Sequence, residues 1–391
     1  MKKSEQQSMV ATLKRIDNLV DKVEDWSRLP VEPLVSVYMI TYNHEKFIAQ
    51  ALDGILMQEV DFPYEIVIGE DKSTDRTRAV VCEYQRRHPD KIRLHLSREN
   101  LFRQKLAGLG PLAACRGKYI AMCEGDDYWT DPQKLQKQVA VLEAEPEISA
   151  CFTNAAVVNE DGSEQPSVFL GEPSVGYWRP PKHGYVSQSD LIAGHCVPTA
   201  TLCFRSMYVR ELPEWYFKMP VGDWPLCMIL SGNGPLKYLD SITATYSRHQ
   251  GGMHTRLSPW EKLRQELEIY VIYQPYAPSS AQPFLHARIQ HLKKQLKDAA
   301  IAIMVKLIDM RDVGKLKLHE NELKAYFSKQ ECRQIGMTAW ERYFQEAYFR
   351  GDASVARRRL AGLTVRHPEW LLNRGSVGQI VRTLLGRCHI K

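Results

Sequence analysis

Between residues 34 and 123 the chain alternates short apolar runs with segments of helical periodicity, and this rhythm constrains its fold more than any other feature. Residues 34–40, 65–68, 92–96 and 119–123 read as strands, because each is a short, mostly apolar run. Residues 45–57, 76–87 and 104–115, which lie between them, carry helical spacing. Strands joined by helices of this length pair in parallel, and a parallel sheet is covered on both faces. The expected fold class is therefore α/β: a Rossmann-like, mostly parallel central sheet with helices on both faces.

The fourth run leads directly into Glu124-Gly125-Asp126-Asp127-Tyr128-Trp129, three carboxylates in four residues. Open α/β sheets place their ligand crevice at the C-terminal edge of the strands. Hard oxygen donors there suit Mg²⁺ or Mn²⁺ bound to a phosphorylated substrate. A solvated acidic turn would have the same sequence, so the choice rests on the rest of the chain.

Beyond this cluster, residues 134–143 read as a helix with Asp131 as cap and Pro132 at its first position. Residues 149–159 and 199–205 read as strands, and 160–185, rich in Gly, Pro and Ser, as a loop able to cover a substrate. From Trp260 the composition turns helical, with helices expected over 260–273, 283–310, 316–327, 338–349 and 354–365. At the other end, Met9, Leu13, Ile16, Val20 and Val23 share one face of a helix over 8–26. Three parts are expected: an N-terminal amphipathic helix (1–33), an α/β domain (34–255) and a mainly α-helical C-terminal region (256–391).

At 391 residues, 44% hydrophobic and 25% charged, the chain has the composition of a soluble globular protein. No apolar run approaches the ~18 residues of a membrane span, and the Met-Lys-Lys start leads into no apolar leader segment. A cytoplasmic protein is expected. Nine cysteines without a C-x-x-C pair argue against both structural zinc and a disulfide framework. The net charge of +6 falls entirely in residues 351–391, where eight Lys/Arg face only Asp352 and Glu369. Such a tail either meets anionic lipid at the inner face of a membrane or stands as a solvated surface, and nucleic acid is not expected as a partner.

Four segments carry a resemblance. In order they are Val35-Ser36-Val37-Tyr38-Met39-Ile40-Thr41-Tyr42-Asn43; Glu65-Ile66-Val67-Ile68-Gly69-Glu70-Asp71-Lys72-Ser73-Thr74-Asp75; the segment from Gly117 to Trp129 with its Glu124-Gly125-Asp126-Asp127; and Gly222-Asp223-Trp224. Together they resemble the family-two glycosyltransferases of the GT-A fold, over about residues 34–255. The resemblance implies a metal-dependent, inverting glycosyltransferase of the bacterial surface-glycan type. Its donor would be a nucleotide-diphosphate sugar and its acceptor a glycan or a lipid-linked oligosaccharide.

The same resemblance implies residue roles. Thr41, Tyr42, Asn43, Glu70 and Asp71 would line the nucleotide, with Asp71 accepting from a base N–H. Asp126 would be the direct ligand of Mg²⁺ or Mn²⁺; Glu124 stands at the first D-x-D position, where the family usually has Asp, and Asp127 would bind metal or donor sugar. Asp223 would take the acceptor proton, although its position also suits a helix N-cap. Residues 246–253 resemble a Y-R-x-H segment, through which Arg248 or His249 would reach the diphosphate or the metal; His195 and His254 are weaker candidates. Ser73, Thr74 and Asp75 are expected to cap the following helix. Trp129, Trp178 and Trp224 could stack on sugar rings or pack in the core.

A nicotinamide dehydrogenase would need a G-x-G-x-x-G turn where Thr41-Tyr42-Asn43-His44-Glu45 stands. A sugar-1-phosphate nucleotidyltransferase shares such a sheet and is the enzymatic alternative, although the Gly- and Arg-rich loop it would carry after the first strand is missing. The non-catalytic alternative is a nucleotide-sugar-binding scaffold, distinguished by whether Asp126 and Asp223 matter for turnover.

Overall fold

The computed structural model describes residues 3–104, 106–160, 167–170, 181–194, 197–310 and 313–349. The basic tail, the helix expected over 354–365, Trp178, His195 and the side chain of His254 lie outside the described residues. Helix α1 (Lys3–Asp17) and strand β1 (Val20–Val23) come first. The βα alternation follows as β2 (Val35–Thr41), α2 (Ile48–Leu56), β3 (Tyr64–Glu70), α3 (Thr77–Arg87), β4 (Ile92–Ser97), α4 (Leu109–Ala114) and β5 (Tyr119–Met122). Next are β6 (Tyr128–Trp129), α5 (Lys134–Ala144), β7 (Ala150–Asn159), β8 (Ser167–Val168), β9 (Tyr185–Val186), α6 (Gln188–Ala193) and β10 (Cys203–Arg205). Helix α7 (Asp223–Ser231), the long β11 (Leu236–Arg248) and helices α8 (Met253–Arg256), α9 (Pro259–Tyr273), α10 (Gln282–Asp309), α11 (Val313–Leu323) and α12 (Lys329–Phe349) complete the order.

Among the described residues one mixed sheet runs β1-β4-β3-β2-β5-β10-β7-β11-β6, with β8 on β7 and β9 on β11. Strands β4, β3, β2 and β5 are mutually parallel, β10 is antiparallel to both its neighbours, and β11 is parallel to β7. From β2 the chain steps outward to β3 and β4, then returns to place β5 on the other side of β2. That reversal opens a crevice at the C-terminal ends of β2 and β5, the point where such sheets bind ligands.

Alternation along β2 shows that the sheet is covered on both faces. Val35, Val37 and Met39 join a core with Leu52 and Ile55 of α2, Val81 of α3 and Leu135 of α5. Tyr38 points the other way, where its hydroxyl donates to the Gly108 carbonyl at the start of α4 (3.2 Å). A Cβ at Gly69 would lie 2.4 Å from Pro111 Cγ, so only glycine in β3 lets α4 approach this closely.

At the opposite, N-terminal edge a buried charge network secures the entering chain. Glu65 is fully buried and accepts from Ser36 Oγ (2.6 Å), Arg116 Nη2 (2.6 Å) and Arg93 Nη1 (3.1 Å). Arg93 also donates to Glu24 (2.8 Å), and Trp26 lies over both guanidinium groups at 4.8 and 4.9 Å. Each buried charge thus has an opposite partner, without which its desolvation would be costly.

Several elements differ from the sequence expectations. The helix expected over 8–26 stops at Asp17, and Val20–Val23 pairs antiparallel with β4, Val20 opposite Ser97. β4 would otherwise expose its backbone donors and acceptors at the sheet edge, and β1 satisfies them. Of residues 104–115 only Leu109–Ala114 is α-helical, and of 199–205 only Cys203–Arg205 is strand. β11 was not expected, because its mixed sequence LKYLDSITATYSR presents no apolar run.

The chain forms two compact units, residues Met1–Leu257 with Glu268–Arg288, and Ser258–Leu267 with Ile289–Lys391. The first holds the sheet. Buried residues of the second include Leu292, Leu296, Met304, Ile335 and Tyr343. No helix among the described residues is long and apolar enough to cross a membrane.

Candidate active site

The acidic segment is laid alongside the end of β2 by backbone hydrogen bonds. Cys123 N donates to Tyr38 O (3.1 Å) and Gly125 N to Ile40 O (3.0 Å). A Cβ at Gly125 would sit 2.5 Å from Thr41 Oγ1 and 3.0 Å from His44 Nδ1, so this contact requires glycine. β6 then pairs antiparallel with β11, Tyr128 opposite Thr245, which brings the end of β11 over the same crevice.

Two clamps result. Asp127 accepts from Ser247 N (3.0 Å), and Asp126 Oδ2 lies 3.0 Å from His249 Nε2. His44 Nε2 approaches the same Asp126 oxygen at 3.5 Å. Phe47 packs against the His249 ring with centroids 4.7 Å apart.

The electrostatics follow from crowding acids in a partly dry crevice. Burial, reinforced by the charges of Asp126, Asp127 and Asp223, pushes the Glu124 carboxyl well above its usual value. Burial and Asp126 do the same to Asp127, against the pull of the Ser247 amide. Burial also opposes ionisation of Asp126, but the His249 hydrogen bond and the two histidine charges outweigh it and hold this carboxyl low. His44 is pushed down by burial, with Asp126 pulling the other way.

One oxygen of Asp126 and one ring nitrogen each of His44 and His249 lie within 4.8 Å of one another. An octahedral ion with ligands at about 2.1 Å places adjacent donors about 3.0 Å apart, which matches the Asp126–His249 separation. Thr41 Oγ1 and His44 Nδ1, both buried beside this group, have no hydrogen-bond partner among the described residues. The mixed oxygen and imidazole donors fit a divalent cation. His44 was missed from sequence: it directly follows Thr-Tyr-Asn, but no spacing links it to residues 126 or 249.

Other candidates lie along the same edge with different duties. Asn43 takes a left-handed backbone (φ 56°), and its side chain accepts from Thr74 N (2.8 Å) while its own amide donates to Ser73 Oγ (3.0 Å). Glu70 is fully buried, accepts from Ser73 N (2.6 Å) and pairs with Arg78. These contacts spend Asn43 and Glu70 on shaping the turns. Asp71 uses both carboxylate oxygens on the Leu101 and Phe102 amides, at 2.7 and 3.0 Å. Asp75 accepts from Thr77 N (2.9 Å), holding the start of α3.

Asp223 is half-buried and is the first residue of α7, whose N-cap is Gly222, so Asp223 does not fill the cap position. Its charge acts on both Glu124 and Tyr216. Of the two readings open for Trp129 and Trp224, sugar platform or core, the structure shows core. Trp129 is 1% exposed with its Nε1 donating to Ala200 O (2.7 Å), and Trp224 packs edge-on against Tyr270 at 4.3 Å.

Residues 36–210 match the family model for glycosyl transferase family 2. An uncharacterized protein of Mycobacterium tuberculosis H37Rv is 36% identical over 225 residues, 56% of this chain and 60% of that protein. The chain therefore spans about three fifths of the mycobacterial relative it matches. Chondroitin synthase of Escherichia coli is 26% identical over 246 residues, 61% of this chain and 32% of that enzyme. Among solved structures, a mannosyltransferase of Pyrobaculum calidifontis in complex with GDP-Man and Mn²⁺ aligns with a TM-score of 0.50 at 17% identity, over 86% of this chain and 88% of that one. This last likeness is one of fold. Residues 36–210 of this chain thus form a family 2 glycosyltransferase domain, built on the GT-A fold.

Proposed function

We propose that the protein is a metal-dependent, inverting glycosyltransferase. It moves a sugar from a nucleotide-diphosphate donor to a hydroxyl of a glycan or lipid-linked acceptor in bacterial surface polysaccharide synthesis. The observation that carries this reading is the Asp126–His249 pair, with His44 beside it, at the β2/β5 crevice of a family 2 domain. Support comes also from the GDP-Man and Mn²⁺ named for the mannosyltransferase and from the polysaccharide made by chondroitin synthase.

Asp126 and His249, with His44 as a third donor, would hold Mg²⁺ or Mn²⁺, which when bound supplies Lewis-acid stabilisation of the diphosphate leaving group. Asp223 accepts the proton of the attacking hydroxyl, on the face of the sugar opposite the departing nucleotide. Glu124 and Asp127 orient the donor sugar and ribose. Thr41 and Tyr42 line the nucleotide side, where Asn43, Glu70 and Asp71 hold the surrounding turns. Arg248, next to His249 in sequence, would offer positive charge to the diphosphate.

Residues 34–255 would be the catalytic part. The basic tail over 351–391 would attach the enzyme to the inner face of the membrane. Calorimetric titration of UDP-, GDP-, CMP- and dTDP-sugars, with and without Mn²⁺, tests the central reading. Metal-dependent binding of a nucleotide sugar that Asp126→Ala abolishes supports it; no binding of any nucleotide sugar overturns it.

A further inference from the structure

We propose that Tyr216 is a positioning residue for Asp223: its phenol hydroxyl holds the peptide from which Asp223 projects, and so fixes where that carboxylate points. This rests on the reading above that Asp223 takes the acceptor proton, and extends it to a residue outside the region matched by the family model.

The Asp223 carboxylate has no hydrogen-bond partner among the described residues, so its aim is set by the backbone that carries it. That backbone is the first peptide of α7. The Gly222 carbonyl belongs to the same peptide as the Asp223 amide. It accepts from Leu226 N (3.1 Å) within the helix and from the Tyr216 hydroxyl (3.1 Å) outside it. A peptide unit is planar and includes the next Cα, so holding this carbonyl from two sides also holds Cα of Asp223 against rotation. With the Leu226 bond alone the first turn would be free to fray, as helix ends do.

Tyr216 is a fixed donor because its own segment is anchored. It lies in a 3₁₀ turn over Glu214–Lys218. Beside it the buried Trp215 packs against Tyr273 with ring centroids 5.0 Å apart, and the buried Met219 donates its amide to Tyr216 O (3.2 Å). Burial, then the charge of Asp223, pushes the phenol up, so it keeps its proton and remains a donor. The joint is also close-fitting at the glycine. Gly222 has φ −103°, open to any residue, yet a Cβ there would meet the Tyr216 hydroxyl at 3.1 Å.

The variants are Tyr216→Phe, Gly222→Ala, Asp223→Asn and the double variant Tyr216→Phe/Asp223→Asn, in the full chain. The probe is the nucleotide sugar that binds with Mn²⁺ in the titration above, and release of its nucleotide is followed with water as acceptor. Tyr216→Phe should lower kcat on the order of tenfold, with KM, calorimetric affinity and melting as in the wild type. Gly222→Ala, which displaces the hydroxyl, should lower kcat similarly. Asp223→Asn should lower it on the order of a hundredfold, and Tyr216→Phe should add little to that loss, since no base is left to aim. Independently of turnover, amide hydrogen exchange over residues 220–226 should quicken in Tyr216→Phe while other segments exchange as before. Wild-type kcat in Tyr216→Phe, a full further loss in the double variant, or unchanged exchange over 220–226 overturns the positioning role. Wild-type turnover in Asp223→Asn instead overturns the base reading on which it rests, and the exchange result separates the two failures.

Discussion

Asp126 and His249 are 123 positions apart in sequence, yet the carboxylate oxygen of one lies 3.0 Å from Nε2 of the other. The contact exists because β6, just after Asp126, pairs with β11, just before His249. It also makes the family's acidic motif half of a mixed oxygen–nitrogen donor set, and this leads to the first prediction.

Asp126→Ala and His249→Ala should each reduce metal-stimulated donor turnover, with Asp126→Ala the more severe at about a thousandfold. That corresponds to several kcal/mol of lost charge stabilisation. Titration of Mn²⁺ alone, followed by its paramagnetic resonance signal, should show weaker binding in both variants. Unchanged Mn²⁺ affinity in both would place the cation elsewhere.

Gly125→Ala should damage the site more than the fold. The added methyl would meet Thr41 Oγ1 at 2.5 Å, forcing the acidic segment away from β2. A stability loss of about 1–3 kcal/mol is expected from overpacking, with nucleotide-sugar binding largely lost. Retained binding with wild-type melting would mean that the segment shifts without consequence.

Trp129→Ala should act on stability and not on sugar recognition. The indole is 1% exposed and its N–H is bound to Ala200 O, so its removal leaves a large cavity and an unpaired carbonyl. Thermal or urea unfolding should show a loss of about 3–5 kcal/mol. A variant as stable as the wild type would contradict the core assignment.

Acid should loosen the N-terminal attachment through Glu24. Burial raises this carboxyl, but the His95 imidazole 3.6 Å away and the charge of Arg93, which donates to it at 2.8 Å, overcome this and bring it to about 2, against 4.5 when unperturbed. A depressed value stabilises the ionised, folded form, so the contribution is complete above about 4.5 and disappears as pH falls towards about 2. It amounts to about 3 kcal/mol. Glu24→Gln should therefore be destabilised at neutral pH and lose less on acidification, as measured by urea unfolding at several pH values. An acid response equal to the wild type would remove Glu24 from the network.

Much of the framework was legible because it is written in local pattern. The four parallel strands near residues 35, 65, 92 and 119 are short and mostly apolar, interrupted chiefly by Ser36, Glu65, Arg93 and His95, and such segments are what a sheet buried on both faces requires. Asp126 was legible for a related reason, since an acidic turn closing a buried strand falls at the crevice by topology. β11 was not, because its polar and apolar residues alternate irregularly through two register shifts and its strand state depends on pairing with β7. His44 was not, because the value of an imidazole there depends on Asp126, which is near only in the folded chain.

The amino-acid sequence by itself determined the α/β class, the order of the crevice-forming strands and the placing of a carboxylate at their edge, since periodicity and apolar continuity act over a few residues. Only the tertiary structure decided which side chains meet there and which are spent elsewhere. Trp129 could have been a sugar platform, and packing made it core. Asp71 could have faced a base, and the Leu101 and Phe102 amides claimed its oxygens. The difference is physical: strand and helix state follow from near neighbours, whereas burial, hydrogen-bond partners and charge environment are set by residues that only long-range pairing brings close.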